Sequence, residues 1–465
     1  MIKTKKIGVL LAVVLLVLSF ILPSSEALNQ KAIASFCILL AVLVLLLTDA
    51  LPVAVAVLLG PALLIFMGVT TPAAAFSGFT NPIVYFILCS FIISGAISNT
   101  NMSKRMLVAV LKRSGKSVDA LVFAVMLSTV ILSSLMSNVA ACIIFLSASL
   151  EFLNIYDNEA DKRRTGRTFM IALPIAAMTG GMYTPATSSL NMMILSQLET
   201  IAGLDVQFIK WMAMGTPMVI FVFPVAAFFV IKFNRPAPVS KEKLDAYILK
   251  LQNAAGDKWS FKEKYVSVVV VLVLIAWILS SWFPFFQITA VAILGVFLFF
   301  IPGLEIFNWK EAEENISWSA ILLVASFISM GNAFVSTGAA KWIAGLIVPA
   351  SLNAPVFVIA LIVALIVFLM LVVIPVAPAL VPILSVPLIS LATAAGISPY
   401  ITMMSLAFTV GNCYLLPFDT VPVITYMQGY YTKAQLARTA VLIQLCICVI
   451  VALWVPFITR ILNLY

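Results

Sequence analysis

The chain has 465 residues, of which 63% are hydrophobic and only 10% charged, whereas soluble proteins carry about 25% charged residues. This composition and a mean hydropathy of +1.17 exclude an ordinary water-soluble domain and predict a polytopic helical membrane protein. Histidine is absent, and the six cysteines lie in apolar segments without metal-ligand spacing. We therefore expect no zinc, haem or other resident cofactor.

The first apolar run follows three lysines and is longer than the apolar core of a secretory signal. Residues 1–29 are therefore interpreted as an uncleaved first transmembrane helix. Further runs long enough to cross a bilayer recur to the end of the chain. They include Ala32–Leu47, Met212–Ile231, Tyr265–Leu279 and Val441–Ile458.

Lysine and arginine are distributed unequally between the two sides that successive spans define. One side receives most of them, at residues 3–6, 104–116, 162–167 and 235–264. The other side receives few, namely Lys31, Lys210, Lys341 and Arg460. By the positive-inside rule, this asymmetry predicts a multi-pass protein of the cell inner membrane with a cytoplasmic N-terminus. The net charge of +9 thus sets topology, and we expect a lipid bilayer rather than a nucleic acid as the partner.

Residues 234–264 stand out as polar and are predicted to form a cytoplasmic linker, with an amphipathic helix around Lys243–Ala254. The linker separates two halves, residues 30–233 and 265–465. In both halves an apolar helix leads to a short polar arm and then to an apolar region with an interrupted mid-point.

The two halves also share sequence, since Ser90–Gly95 resembles Ser326–Gly331. The interrupted regions, near residues 117–152 and 353–395, are predicted to be re-entrant hairpins, although two ordinary spans would give similar hydropathy. With hairpins there, counting spans places the two arms on opposite sides of the membrane. The halves are therefore predicted to be inverted repeats.

Each half closes with a segment in which glycine, proline and polar residues interrupt an apolar stretch, Thr179–Asn191 in the first half and Thr409–Pro422 in the second. Freed backbone groups at such breaks can hold a solute or an ion at mid-membrane depth, and paired breaks are typical of secondary transporters. Simple proline kinks are the alternative. Since the chain has neither histidine nor a Walker-type loop, we expect a secondary carrier rather than an enzyme or an ATP-driven pump.

Two further polar features lie in apolar surroundings. Ser133–Asn138 is an uncharged cluster that indicates either a binding-loop tip or helix packing through small polar residues. Asp419 places a carboxylate inside the second broken segment, which favours a cation or proton site. An ion pair with Lys433, or exposure to water near the helix end, would be the structural alternative.

Several motifs together resemble the divalent anion/sodium symporter family of dicarboxylate, sulfate and citrate carriers. They are Thr48–Val55, Ala74–Pro82, Met136–Val139, Gly180–Gly181 and Leu416–Pro417. The resemblance spans most of the chain. It implies an all-α polytopic membrane protein with about 11 transmembrane helices plus two re-entrant hairpins in two inverted repeats. It also implies a homodimer and an elevator mechanism.

The polar features and the resemblance together give expected roles to the residues at the tips and breaks. The residues expected to bind a small anionic solute are Ser137, Asn138, Val139, Gly181, Thr184, Asn412, Pro417 and Thr420. Those expected to bind a coupling cation, Na⁺ or H⁺, are Ser133, Ser137, Asn138, Gly180, Gly411 and Asp419. Among them, Ser133, Asn138 and Gly180 are the predicted Na⁺ ligands.

The chain departs from the family pattern at both tips. Val139 stands where the first Ser-Asn-Thr signature has threonine, and the second signature is absent. Its place is taken by Val372–Ile374, or by Pro375–Ala377 if the register shifts. The alternatives are a sodium-independent exchanger, a proton-linked carrier that uses Asp419, and a channel or transport-dead membrane sensor.

Overall fold

The computed structural model describes residues 2–25, 28–114, 117–256, 258–304, 306–347, 354–374 and 376–464. In these ranges the chain forms 22 α-helices and one 3-10 turn, and they contain no β-strand. The helices of the first half and the linker are α1 (Ile2–Ile21), α2 (Gln30–Leu47), α3 (Val53–Phe66), α4 (Pro72–Ala75), α5 (Pro82–Ser98), α6 (Met102–Ser114), α7 (Val118–Ser133), α8 (Asn138–Leu153), α9 (Glu159–Gly180), α10 (Ser189–Ala202), α11 (Phe208–Phe233) and α12 (Lys241–Ala255). Those of the second half are α13 (Phe261–Leu279), α14 (Ile288–Leu298), α15 (Trp309–Glu314), α16 (Trp318–Ser336), α17 (Ala339–Ile347), α18 (Val356–Val373), α19 (Ala377–Ala394), α20 (Pro399–Val410), α21 (Thr420–Tyr426) and α22 (Lys433–Ile461).

Among the described helices, six are long and apolar enough to cross a membrane: α2, α11, α16, α18, α19 and α22. Helices α5 and α6 would form a seventh span if they count as one, bent by 65°. Shorter apolar helices, α3, α7, α8, α14 and α20, accompany them. The predicted fold class, an all-helical protein with many membrane spans, is confirmed.

Contacts between helix ends distinguish two faces of the molecule. Lys5 near the start of α1 pairs with Asp49 after the end of α2 at 3.1 Å, so these two helices run antiparallel. Asn29, which caps the start of α2, therefore lies at the opposite face. Its side-chain amide donates to the Thr337 carbonyl at 3.1 Å, which brings the end of α16 to the Asn29 face. The start of α16 consequently lies at the Lys5 face.

Helices α5 and α16, the predicted counterparts in the two halves, run antiparallel. Gly95 near the end of α5 packs so closely on Asn315, before α16, that an added Cβ would lie 2.8 Å from the Asn315 Cγ. Gly78, before α5, donates its N–H to the Ser329 hydroxyl in α16 at 2.9 Å. The arm helix α6 thus starts from the Lys5 face and α17 from the Asn29 face. This arrangement supports the inverted repeats, which remain a prediction.

The predicted linker contains the amphipathic helix expected around Lys243–Ala254, observed as α12. Arg105 of the arm helix α6 pairs with Glu263 at 3.1 Å and donates to the Gly256 carbonyl at 2.8 Å. The linker and the first arm therefore share the Lys5 face. Lys116, predicted on this side, lies outside the described residues.

Both predicted hairpin regions are interrupted. Helix α7 ends at Ser133 and α8 begins at Asn138, while α18 ends at Val373 and α19 begins at Ala377. By position relative to the helix starts, Val376–Pro378 correspond to Ser137–Val139. This correspondence begins four residues after the register that starts at 372 and one residue after the register that starts at 375. Residues 353 and 375 of the second region lie outside the described residues.

The two predicted helix breaks are present. Helix α9 ends at Gly180, a 3-10 turn covers Pro185–Thr187, and α10 begins at Ser189. In the second half α20 ends at Val410, and α21 begins only at Thr420. Proline and glycine cannot sustain regular helix through these stretches, which leaves backbone groups to other partners.

Candidate functional site

A cavity of about 220 Å³ lies where both hairpin tips and both breaks meet α2, α3, α5 and α16. Pockets for drug-sized ligands run to about 300–1,000 Å³, so this one suits a small solute. Its polar lining residues, which come from both halves, are Ser90, Ser137, Asn138, Thr187, Ser188, Ser189, Ser317, Asp419 and Thr420. Among the described lining residues, Asp419 is the only charged one.

The first hairpin tip is anchored by short polar contacts. The Ser133 hydroxyl lies 2.8 Å from the Asn138 side-chain oxygen and 2.5 Å from the Ala177 carbonyl oxygen. Its single hydrogen can satisfy only one of these acceptors at a time. The hydroxyl, amide and carbonyl oxygens thus converge around one hydrogen. Neutral oxygens grouped in this way are the ligands that hard cations prefer.

Helix α5 also holds this tip. The backbone N–H of Ser137 donates to the Ser94 hydroxyl at 3.0 Å, and Ser94 donates to the Ser90 carbonyl at 2.7 Å. Ser137 is the residue before α8 and makes no side-chain capping bond, so its hydroxyl remains available at the cavity.

The carbonyl groups freed at the first break are bonded mainly by nearby side chains. Asn191 donates to the carbonyls of Gly181 at 2.8 Å and Thr184 at 3.1 Å, and Thr187 bonds the same two oxygens. The carbonyl of Gly180 accepts from Ser134 at 3.2 Å. The break is thus a fixed structure rather than a loose loop.

At the end of the second break, Asp419 caps the start of α21. Asp419 is half-buried, and its carboxylate accepts the Val421 N–H at 3.5 Å. Lys433 lies over the Phe418 ring, 4.6 Å from its centroid. The cap was not predicted, although aspartate before a short helix is a common N-cap signal.

Asn412 is buried between the two breaks, outside the lining of the cavity. Its amide nitrogen donates to the Phe408 carbonyl at 2.8 Å and lies 3.3 Å from the Met182 sulfur. Its side-chain oxygen has no hydrogen-bond partner in the described structure.

The second hairpin tip is apolar, because Val376 and Pro378 line the cavity in the positions that correspond to Ser137 and Val139. Proline also removes one backbone donor from the start of α19. The cavity therefore has one polar tip and one apolar tip.

Three helices of at least three turns nevertheless begin at the cavity. Their first-turn residues Asn138 (α8), Ser189 (α10) and Pro378 (α19) all belong to its lining. Helix N-termini carry unpaired N–H groups and a partial positive charge, so their convergence favours an anion.

The predicted site residues divide into two groups. Those that line the cavity are Ser137, Asn138, Val139, Gly411, Asp419 and Thr420. Those outside its lining are Ser133, Gly180, Gly181, Thr184, Asn412 and Pro417, all buried. Ser317 was not predicted, and Ser90 had been noted only for its place in the repeated segment, because a single hydroxyl in or beside an apolar helix gives no signal in the sequence.

Paired broken helices around a cavity that both halves line, in an all-helical multi-span fold, define a membrane transporter. The chain belongs to the family described as the sodium:sulfate symporter transmembrane region, whose model matches residues 3–463. The resemblance to divalent anion/sodium symporters is thereby confirmed.

Curated relatives cover nearly the whole chain. The sodium-dependent dicarboxylate transporter SdcS of Staphylococcus aureus strain USA300 is 25% identical over 485 residues, covering 97% of this chain and 91% of SdcS. The SdcS of strain MRSA252 matches to the same extent. Among solved structures, the Alcanivorax borkumensis YdaH transporter, described as having an unusual topology, aligns with a TM-score of 0.52 at 14% identity. That alignment covers 80% of this chain and 85% of YdaH and shows a shared fold.

Proposed function

We propose that this protein is a secondary carrier that moves a small anion, a di- or tricarboxylate or a sulfate-like solute, across the inner membrane, coupled to Na⁺ or H⁺. The observation that carries the proposal is the convergence of three helix N-termini on a cavity that has polar lining residues and, in its described lining, no lysine or arginine. Backbone dipoles attract an anion without a fixed cation that would hold it permanently. The name of SdcS supports a dicarboxylate as the first substrate to test.

The first hairpin tip is the proposed site of a coupling sodium ion. Ser133, Asn138 and the carbonyl of Ala177 bring three neutral oxygens together around one hydrogen, so they have acceptor capacity to share with a cation. The ion would lie next to Asn138, on the side of that residue that faces Ser133 rather than the cavity. Its charge would help to offset that of the solute.

Asp419 is the proposed second cation site, for Na⁺ or H⁺. A carboxylate in the same cavity as an anionic solute repels it unless a cation or a proton lies between them. The apolar second tip, with Val376 and Pro378, offers no side-chain oxygen for this purpose. Asp419 would supply the missing ligand.

An elevator motion would deliver the solute to the other side, in keeping with the family resemblance. One wall of the cavity comes from α2, α3, α5 and α16, and the other from the hairpin tips and breaks. We propose that the second group slides against the first, within a homodimer. The hydrogen bond from Ser137 to Ser94 joins the two groups and would break during the movement.

A sodium-independent exchanger of the same fold is the second candidate. The apolar second tip favours it, because the family would place a cation-binding signature there. If exchange is the activity, Asp419 would serve only as the cap of α21. The carrier and the exchanger differ in whether an ion gradient drives accumulation.

Uptake into proteoliposomes tests the proposal. Labelled succinate, citrate and sulfate would each be offered under an inward sodium gradient, an inward proton gradient, or solute counterflow alone. We expect accumulation of one of these anions above its equilibrium level with at least one cation gradient. Counterflow without gradient-driven accumulation would establish the exchanger, and the absence of both would contradict a carrier of these anions.

A further inference from the structure

A second recess lies apart from the cavity, between the arm helix α6 and the linker helix α12. It encloses about 800 Å³ and lies at the Lys5 face, where Arg105 joins the arm to Glu263. Its described lining includes three cationic side chains, Arg105, Lys112 and Arg113, and no acidic one. A recess with this excess of positive charge calls for an anionic occupant.

The three cations are not equivalent. Arg105 is half-buried and already neutralised by Glu263, and it donates to the carbonyls of Gly256 and Lys258 at 2.8 and 2.5 Å. Lys112 and Arg113 are exposed at the end of α6. They supply the positive charge that the protein leaves available in this recess.

Arg113 also borders a neighbouring recess, which it shares with Asp119. That carboxylate is not part of the lining between α6 and α12. Lys112 therefore faces no acidic side chain within the described lining, and Arg113 stands between the two recesses.

The rest of the recess is largely apolar. Met102 and Met106 of the arm and Leu135 of the first hairpin tip form one wall, and Trp259 of the linker stands at the rim. Trp259 is 46% exposed and packs under the Arg105 guanidinium, 5.4 Å from the ring centroid. Tryptophan favours the boundary between lipid chains and headgroups.

We propose that this recess binds an anionic phospholipid, with its headgroup at Lys112 and Arg113 and an acyl chain along Met102, Met106 and Leu135. A soluble anion would leave the apolar wall uncovered, and a zwitterionic lipid would bring its own ammonium charge to the two cations. The Lys5 face is predicted to be cytoplasmic, where anionic lipids attract basic segments. The proposal holds whichever solute the protein carries.

Such a lipid would connect parts that the proposed transport motion separates. Helix α6 follows α5, whereas Leu135 belongs to the hairpin tip that carries Asn138. An acyl chain that contacts both α6 and Leu135 would join the helix that follows α5 to the hairpin that is proposed to move. We therefore expect bound lipid to raise thermal stability.

A thermal-shift titration of the purified full chain in neutral-detergent micelles tests the binding. The ligands are phosphatidylglycerol, phosphatidylcholine of the same chain length, and soluble glycerol phosphate. We expect stabilisation by phosphatidylglycerol alone. The double variant Lys112→Gln with Arg113→Gln should need about thirtyfold more phosphatidylglycerol, since each basic residue near an anionic surface is worth about 1 kcal/mol.

Two further variants make the result decisive. Arg163→Gln with Lys264→Gln removes two exposed basic residues outside the recess and should titrate like the parent. Met106→Trp keeps every charge, fills the apolar wall and should weaken the effect of phosphatidylglycerol. Equal stabilisation by phosphatidylcholine or by glycerol phosphate would overturn the proposal, as would a parent-like titration of the Lys112 and Arg113 double variant.

Discussion

The side-chain amide of Asn138 lies directly against the Cα of Gly181, so that a Cβ added at Gly181 would come within 2.5 Å of Nδ2 and 2.7 Å of Oδ1. The first hairpin tip and the first break thus fix each other's position. Asn138 is 9% exposed and reaches the cavity from this contact. A glycine is needed at 181 for close approach, not for an unusual backbone angle, since its φ is −60°.

Gly181→Ala should displace Asn138 and reduce uptake strongly, because overpacking a buried contact costs about 1–3 kcal/mol. Gly345→Ala in α17 is the control, since Gly345 lies outside the cavity lining and an added Cβ there would meet nothing within 4 Å. Initial uptake rates of the two variants at equal reconstitution provide the measurement. Equal losses in both would show that the Asn138 contact is not the cause.

Asn138→Ala should weaken uptake about tenfold, equivalent to about 1.4 kcal/mol, while leaving the folded protein intact. The amide oxygen contacts Ser133, and the residue lines the cavity, so its loss removes a polar group from both proposed sites. Val139→Ala, which trims an apolar lining residue next to it, should have a smaller effect. Parent-like kinetics of Asn138→Ala in vesicles would remove Asn138 from the site.

Ser133→Ala should raise the sodium concentration needed for half-maximal uptake, because it deletes one of the three converging oxygens. Ser134→Ala is the matched control, since this neighbouring hydroxyl bonds Val130 and Gly180 instead. Uptake at a fixed solute concentration is measured against a sodium series. Identical sodium curves for Ser133→Ala and the parent would place the ion elsewhere.

Asp419→Asn should abolish accumulation driven by a cation gradient and leave counterflow running. Asparagine caps helices as well as aspartate, so α21 keeps its start while the charge is lost. Asp419→Ala removes the cap too and should cost about 1 kcal/mol of stability in addition. If Asp419→Asn accumulates solute as steeply as the parent, Asp419 is a structural cap and coupling resides at another site.

Membrane topology is tested with single cysteines in a background that lacks the six native ones. Lys258 and Ser336 are exposed positions on the linker and at the end of α16, near the two opposite faces. An impermeant thiol reagent should label Ser336→Cys from outside intact cells and Lys258→Cys only after lysis. Labelling of both from outside would contradict the cytoplasmic linker and the inverted repeats.

The sequence predicted the features that depend on local chemistry. Glycine and proline marked both breaks, and the polar interruption at Ser133–Asn138 marked the first tip. The second tip was placed too early, because an all-apolar stretch gives no sign of where α18 ends. Residues such as Ser94 and Ser317 could not be found, since their roles depend on which helices meet.

The antiparallel packing of α5 against α16 has a consequence for biogenesis. The bond from Gly78 to Ser329 joins residues 251 positions apart. At about 5–20 residues per second, the ribosome makes the second partner roughly 10–50 s after the first. The nascent first half must therefore remain inserted with that surface of α5 uncovered, and a protein truncated after the linker would be a natural target for membrane quality-control proteases.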